Sequence, residues 1–182
     1  MNRRLLIIVL MACLLPLGMQ AQQGTFRFAQ LTDIHLTPNN PNPTEDLLRS
    51  IAQINATDSI DFVLVTGDLT EEGDRATMEK VKSCLDLLKV PYHVALGNHE
   101  TKWSDSGCTA FGEIFGGERF EFEHKGFLFL GFNSGPLMRM AYGHVVPQDI
   151  RWMTEEMEKN GKDKPVILVP LPANGRGCGQ LV

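Results

Sequence analysis

The sequence predicts an α/β domain built from packed layers of helix and sheet. Strand-like and helix-like segments alternate along most of the chain, the pattern expected of such layers. One strand-like run, Phe62-Val63-Leu64-Val65, is apolar throughout, which marks a strand covered on both faces. The 182 residues suffice for about one ordinary domain, and 43% hydrophobic against 21% charged residues is a globular composition.

The elements follow in order. Phe26 to Leu31 reads as a strand, and Asn39 to Pro43 as a loop rich in Pro and Asn. Thr44 is expected to N-cap a helix whose Leu47, Leu48, Ile51 and Ile54 share one face. Asp61 to Thr66 is the buried strand. Asp74 to Lys89 is expected to be helical, with Met78, Val81, Leu85 and Leu88 on one stripe. Tyr92 to Leu96 is a third strand. The Gly-rich stretch from Trp103 to Gly117 reads as loop with a short helix. Phe120 to His124 and Phe127 to Phe132 form a hairpin turning at Lys125-Gly126. Pro147 opens a helix through Ile150, Trp152, Met153 and Met157, with Gly161 near its end. Val166 to Val169 is the last strand. From Pro170 to Gly179 two Pro and three Gly interrupt any period, the composition of a disordered end.

The first residues are set apart from the fold. Arg3 and Arg4 precede an apolar run from Leu5 to Leu17 and then Gly18-Met19-Gln20-Ala21. This is the layout of an export signal removed after Ala21, with an apolar run too short to span a bilayer. Apolar residues continue past Cys13, which disfavours a lipid anchor there. The mature chain is then expected in the periplasm or outside the cell, with no membrane span. Loss of residues 1–21 takes the formal charge from −5 to −7, since only Arg3 and Arg4 go with them. No nucleic-acid-binding surface is expected of so acidic a chain. A phosphate-seeking site within it needs local positive charge, which a metal supplies. The remaining Cys84, Cys108 and Cys178 are odd in number and widely spaced, so no disulfide framework is expected. Cys84 falls in a helical pattern as a small buried hydrophobe.

Three short motifs share one placement, where an apolar strand runs into a loop. Asp33-Ile34-His35 follows Phe28 to Leu31. Residues i and i+2 of extended chain project to one side, so a carboxylate and an imidazole converge. Gly67-Asp68 follows Val63 to Val65, and Gly67 permits a tight turn that delivers Asp68. Gly97-Asn98-His99-Glu100 follows Val94 to Leu96. The carboxyl ends of parallel strands form the ligand crevice of an open α/β sheet. Three such ends carrying carboxylate, imidazole and amide groups describe a metal site. Each motif alone is ordinary turn chemistry, and Asn98 alone reads as readily as a turn residue. The ordered set of three is what points to a site.

The ordered motifs DxH, GD and GNHE resemble the leading signature of calcineurin-like metallophosphoesterases, over about residues 25–169. The stretch from Gly143 to Trp152 is also similar to that family's helix after the central hairpin. The resemblance implies a layered α-β-β-α sandwich that hydrolyses phosphomonoesters or phosphodiesters with two divalent cations such as Mn, Fe or Zn. It implies that Asp33 and His35 bind the first metal. Asp68 would bridge the two, and Asn98 would bind the second. His99 would donate a proton to the leaving group or bind phosphate. Two cations about 4 Å apart stabilise charge on a phosphoryl group and lower the pKa of a shared water. Asp68 has two oxygens with which to bridge, and an imidazole is a suitable acid.

Other polar residues are read as structural. His93 lies within a strand and is expected in the core or on a face. His124 sits by the hairpin turn and is expected to be solvated. His144 opens a loop before a helix and is expected to be structural or exposed. Asn133-Ser134 follows a strand and fits either the crevice or a turn. The lack of a Tyr soon after Gly67-Asp68 weighs against the purple acid phosphatase branch.

The family pattern continues with a histidine after the strand at Val166 to Val169 and a later Gly-His-x-His. No histidine follows His144. Residues 1–21 are thus expected to be a leader and 25–169 a partial phosphoesterase domain. Residues 170–182 would be an aberrant tail, with the fold incomplete at its carboxy terminus and activity in doubt. The alternative is a non-catalytic relic or a metal- or phosphate-binding module. Synonymous codons for Leu171 to Val182 permit another frame beginning His-Tyr-Pro, which suggests a frameshift near Pro170. The encoding DNA is the test: codons that give no His-Tyr-Pro in any other frame dispose of the frameshift.

Overall fold

The computed structural model describes residues 24–135 and 143–170. The expected leader, and the tail beyond Pro170, lie outside the described residues. Among the described residues there are six strands: β1 Phe28–Leu31, β2 Phe62–Thr66, β3 Tyr92–Ala95, β4 Phe120–His124, β5 Phe127–Gly131 and β6 Val166–Val169. The α-helices are α1 Asn42–Ala56, α2 Arg75–Leu85, α3 Thr109–Phe115 and α4 Pro147–Asn160, with a π-helical turn at His99–Trp103.

The strands make two sheets. One is parallel, in the order β1-β2-β3, and the other has β5 between antiparallel β4 and parallel β6. Side chains of a strand alternate between its faces, and β2 uses both. Phe62 and Leu64 pack on Phe129 and Val169 of the other sheet. Val63 and Val65 pack outward on Leu47 and Ile51 of α1, Met78, Val81 and Leu85 of α2, and Phe111 of α3. β5 repeats the division: Phe129 faces the first sheet, while Leu128 and Leu130 meet Met153 of α4. The layers run helices, sheet, sheet, helix, which is the expected α-β-β-α sandwich. The inter-sheet layer is largely aromatic, with Phe122 stacked on Phe129 at 4.5 Å and Phe62 edge-on to Phe129 at 5.2 Å.

Local chemistry explains the element ends, including two that depart from expectation. α1 begins at Asn42, not after Thr44, because Pro43 fits the first turn of a helix. Thr44 therefore caps nothing, and its buried hydroxyl has no hydrogen-bond partner. Asp74 does cap α2, its side chain accepting from the Thr77 N–H at 2.9 Å. α2 stops at Leu85, short of Lys89. Asn55 on α1 takes over the backbone beyond it, donating to the Leu87 carbonyl and accepting from the Lys89 N–H, each at 2.8 Å. The hairpin turns at Lys125 and Gly126, with φ of 45° and 85°, the left-handed pair that matches strand twist.

His93 behaves as a core residue. It stacks on Phe122 at 3.7 Å, and burial pulls its imidazole below the usual range. His124 departs in part from expectation, since it is half-buried rather than fully solvated. Its ring packs edge-on to Phe26 and Phe62, and its Nε2 lies 3.4 Å from Asp61 Oδ1. Cys84 is buried in α2, and burial pushes its thiol up.

Asp61, just before β2, ties that strand to the hairpin. It accepts from Lys125 Nζ at 2.7 Å and from the Arg27 N–H at 2.9 Å. The starts of β2 and β5 are thereby joined, so the far ends of both sheets form one rim. The Lys125 hydrogen bond, helped by the Arg27 N–H, holds the Asp61 carboxyl down at about 2 against an ordinary 3.8. A depressed folded pKa means stability that is present above the ordinary value and lost as pH falls through the folded one. Thermal unfolding is therefore expected to show stability lost between about pH 3.8 and about 2, with Asp61→Asn removing part of that slope.

Candidate metal centre

All three motifs reach the rim. The chain leaves β1, β2 and β3 there, and β1 and β2 stay paired beyond their last residues. The Asp33 N–H donates to the Gly67 carbonyl at 3.3 Å, the His35 N–H to the Asp68 carbonyl at 3.0 Å, and the Leu36 N–H to the Leu69 carbonyl at 3.0 Å. Asp33, His35 and Asp68 all take left-handed backbone, with φ of 54°, 49° and 50°. That region is costly for residues other than Gly, and such residues collect at functional sites. The bends replace the extended i, i+2 geometry expected for Asp33 and His35. The side chains converge all the same.

Ligand-type atoms of Asp33, His35 and Asp68 lie within 4.8 Å of one another. His35 Nε2 is 3.9 Å from Asp33 Oδ1, while its Nδ1 meets Glu71 Oε2 at 2.9 Å. The Thr32 hydroxyl donates to Asp33 Oδ2 at 2.6 Å. Asp68 is buried, and its Oδ1 accepts from the His99 N–H at 3.2 Å. The His99 ring stands edge-on to His35 at 4.6 Å, and its Nδ1 donates to the Glu71 carbonyl at 2.6 Å. Asn98 is the residue before the π-helical turn that begins at His99, so it is carried on the same loop. The three convergent donors, two carboxylates and one imidazole, fit a divalent cation. A second group, His35, Glu71 and His99, also lies within 4.8 Å. Its contacts are already those of a hydrogen-bond network that orients both imidazoles.

Two residues without an assigned role prove structural to the site. Glu100 is fully buried. Its Oε1 accepts from the N–H groups of Leu69 and Thr70 at 2.9 and 3.1 Å and from the Thr70 hydroxyl at 3.3 Å. Its Oε2 accepts from the Gly97 N–H at 2.9 Å. One carboxylate thus ties the Asp68 loop to the Asn98 loop. Burial pushes it up, and the backbone donors pull against that shift. Glu71 touches both histidines, one by its side chain and one by its carbonyl. Its only signal in the sequence is that it lies three residues past Asp68. Gly97 is required for space, because a methyl there would overlap the backbone and carboxylate of Asp68.

The remaining polar residues lie elsewhere on the rim. Asn133 takes the turn role, accepting from the Gly135 N–H at 3.0 Å, and donates to Glu118 at 2.8 Å. His144 is half-buried and lines a separate cavity. Cys108 is the residue before α3, and burial together with Glu118 and Glu100 pushes its thiol up to about 11.

The loop contacts make two expectations concrete. Glu100→Gln places an N–H donor against backbone donors and is expected to cost about 1–3 kcal/mol in urea unfolding. Gly97→Ala, which forces Asp68 aside, is expected to cost about 3 kcal/mol by the same measurement.

Comparison with known proteins agrees with this geometry. A family model, calcineurin-like phosphoesterase, matches residues 26–181. The 3′,5′-cyclic-nucleotide phosphodiesterase of Nostoc sp. is 24% identical over 166 residues, covering 84% of this chain and 61% of the relative. A probable cyclic nucleotide phosphodiesterase of Rhodopseudomonas palustris is 32% identical over 97 residues, covering 50% and 33%. The uncharacterized protein YvnB of Bacillus subtilis is 27% identical over 126 residues, covering 60% of this chain and 10% of its own length. The chain thus spans from a tenth to about three-fifths of these relatives. Among solved structures, the purple acid phosphatase PPD1 of yellow lupin aligns with a TM-score of 0.51 at 15% identity, over 81% of this chain and 30% of that one. That likeness shows the fold alone. The strand-end motifs, the sandwich that carries them and the family match agree, and the chain belongs to the calcineurin-like phosphoesterase family.

Proposed function

We propose that the chain is a metal-dependent phosphoesterase acting on phosphomonoesters or phosphodiesters. The observation that carries this reading is the convergence of Asp33, His35 and Asp68 on one point at the rim. In this reading Asp33, His35 and Asp68 would hold a first divalent cation, and Asp68 and Asn98 would help to hold a second. Bound cations supply Lewis acidity and a water of low pKa. The chain's own groups do the rest. Glu71 fixes the His35 ring through Nδ1 and directs Nε2 toward Asp33. The Glu71 carbonyl accepts a hydrogen bond from His99 Nδ1–H, which leaves Nε2 as the ring atom that would give a proton to the leaving oxygen. Asp68 is oriented by the His99 N–H, which couples the acid to the bridging carboxylate.

The cyclic nucleotide phosphodiesterases among the relatives favour a phosphodiester substrate. Residues 1–21, read as a leader, support an exported setting for this activity, in the periplasm or outside the cell.

Hydrolysis of bis(p-nitrophenyl) phosphate with added Mn²⁺ is the direct test. Turnover supports the phosphoesterase reading over the loss of activity that the absent histidines imply, and any turnover is expected to fall at least about 100-fold in Asp68→Asn, which removes a proposed metal ligand. Manganese binding without turnover favours a binding module instead, and no binding favours a relic. Glu71→Gln leaves the ligand set intact but loosens the His35 ring. It is expected to weaken Mn²⁺ affinity about 10- to 100-fold in a direct binding titration.

A further inference from the structure

The hydrogen bonds that orient the two imidazoles also gather a second set of ligand-type atoms. A carboxylate oxygen of Glu71 and a ring nitrogen each of His35 and His99 lie within 4.8 Å of one another. His35 and His99 are half-buried and Glu71 is exposed, so the group is open to ions from solvent. Donor atoms around a tetrahedral zinc stand about 3.3 Å apart, given bonds of about 2.0–2.1 Å. His35 Nδ1 and Glu71 Oε2, at 2.9 Å, are already near that spacing.

Three segments distant in sequence meet here, and backbone contacts hold them. The Glu71 N–H donates to the Leu36 carbonyl at 2.9 Å, which fixes residue 71 beside residue 35. Gly73 lets the same loop close on His99, since a methyl there would come within 2.6 Å of the His99 carbonyl oxygen. The Glu71 carbonyl accepts from His99 Nδ1, the outer hydrogen bond that a metal-bound imidazole commonly makes. That leaves Nε2 of this ring for a cation. Groups positioned in this way lose little freedom on binding.

The two sets of donors differ in type. Asp33, His35 and Asp68 offer two carboxylates and one imidazole, which suits a hard ion such as Mn²⁺. His35, Glu71 and His99 offer two imidazoles and one carboxylate, a set that zinc takes with water in its fourth position. The sets also share His35. Its Nδ1 faces Glu71, and its Nε2 lies 3.9 Å from Asp33 Oδ1. A neutral imidazole has one lone pair and one N–H. A cation on Nδ1 therefore puts the proton on Nε2, which then turns a donor and not a ligand toward Asp33.

We propose that His35, Glu71 and His99 form a zinc site that competes with the strand-end site for His35. Zn²⁺ bound here withdraws one ligand from the strand-end cation and occupies the His99 nitrogen assigned to the leaving oxygen, so it arrests hydrolysis. The arrest rests on the phosphoesterase reading above, and the zinc site itself does not.

Titration of the full chain with Zn²⁺ and Mn²⁺, with unbound Mn²⁺ followed by electron paramagnetic resonance, separates the sites. Zn²⁺ is expected to bind the native chain and to displace one Mn²⁺. Two variants are expected to act in opposite directions. His99→Gln keeps the backbone N–H that Asp68 accepts and all three strand-end donors. It is expected to leave Mn²⁺ binding as in the native chain and to weaken Zn²⁺ binding at least about tenfold, no less than loss of an outer-shell partner costs. Asp33→Asn is expected to weaken Mn²⁺ binding by at least about the same factor and to leave Zn²⁺ binding intact. Each variant retains one metal, which shows that it folds.

The inference is overturned if Zn²⁺ does not bind, if the two ions bind without competition, or if His99→Gln leaves zinc affinity unchanged. It is also overturned if Asp33→Asn weakens both ions alike, which puts zinc at the strand ends. Hydrolysis of bis(p-nitrophenyl) phosphate separates the two readings. Turnover in Mn²⁺ that persists in saturating Zn²⁺ sinks this inference alone. Zinc binding that requires His99, with no turnover in Mn²⁺, sinks the phosphoesterase reading and leaves the zinc site standing.

Discussion

The Glu100 carboxylate, sealed in the rim and surrounded by the N–H groups of Leu69, Thr70 and Gly97, is the constraint on which the site depends. Two loops from two parallel strands would otherwise be free to separate. A buried carboxylate without donors is expensive, so the loops must stay where their N–H groups reach it. The same requirement holds Asp68 beside the Asn98-His99 loop. Gly97 completes the fit by offering no side chain where Asp68 passes.

Strain is the counterpart of this arrangement. Asp33, His35 and Asp68 all sit at positive φ, each at a cost of order 1–3 kcal/mol. Backbone pairing between the segments 33–36 and 67–69 continues past the strand ends and over-determines those conformations. These bends, in place of extended i, i+2 geometry, are what bring the three donors to one place. The aromatic inter-sheet layer and the Asp61–Lys125 tie at the opposite end supply the rigid body against which the bends are held.

Glu71 shows how orientation is distributed around such a site. A metal-binding imidazole works through one nitrogen, and the other sets its direction. Here one residue sets both rings, using a carboxylate for His35 and a carbonyl for His99. Farther along the rim, Asp149 does the same for Arg119, and Trp152 backs the guanidinium. The metal-ligand candidates and the neighbouring cavity are thus both lined by groups whose direction is already fixed.

Apolar periodicity and turn chemistry by themselves determined the alternation of strand and helix, the hairpin at Lys125-Gly126 and the delivery of the motifs Asp33-His35, Asp68 and Asn98-His99 to strand ends. These depend on neighbours in sequence, which a pattern of two or 3.6 residues records. The start of α1 at Asn42 follows from Pro43, a local signal, whereas the end of α2 at Leu85 was decided by Asn55 reaching across from another helix, a contact that no local pattern carries. The partial burial of His124 was decided in the same way, by Phe26 and Phe62 packing against one side of its ring. The partners of Glu100 and the double role of Glu71 exist only once the loops after β1, β2 and β3 share one rim. Sequence names the donors through residue type, whereas convergence is a property of distances between segments some 30 residues apart, and only the tertiary structure sets those.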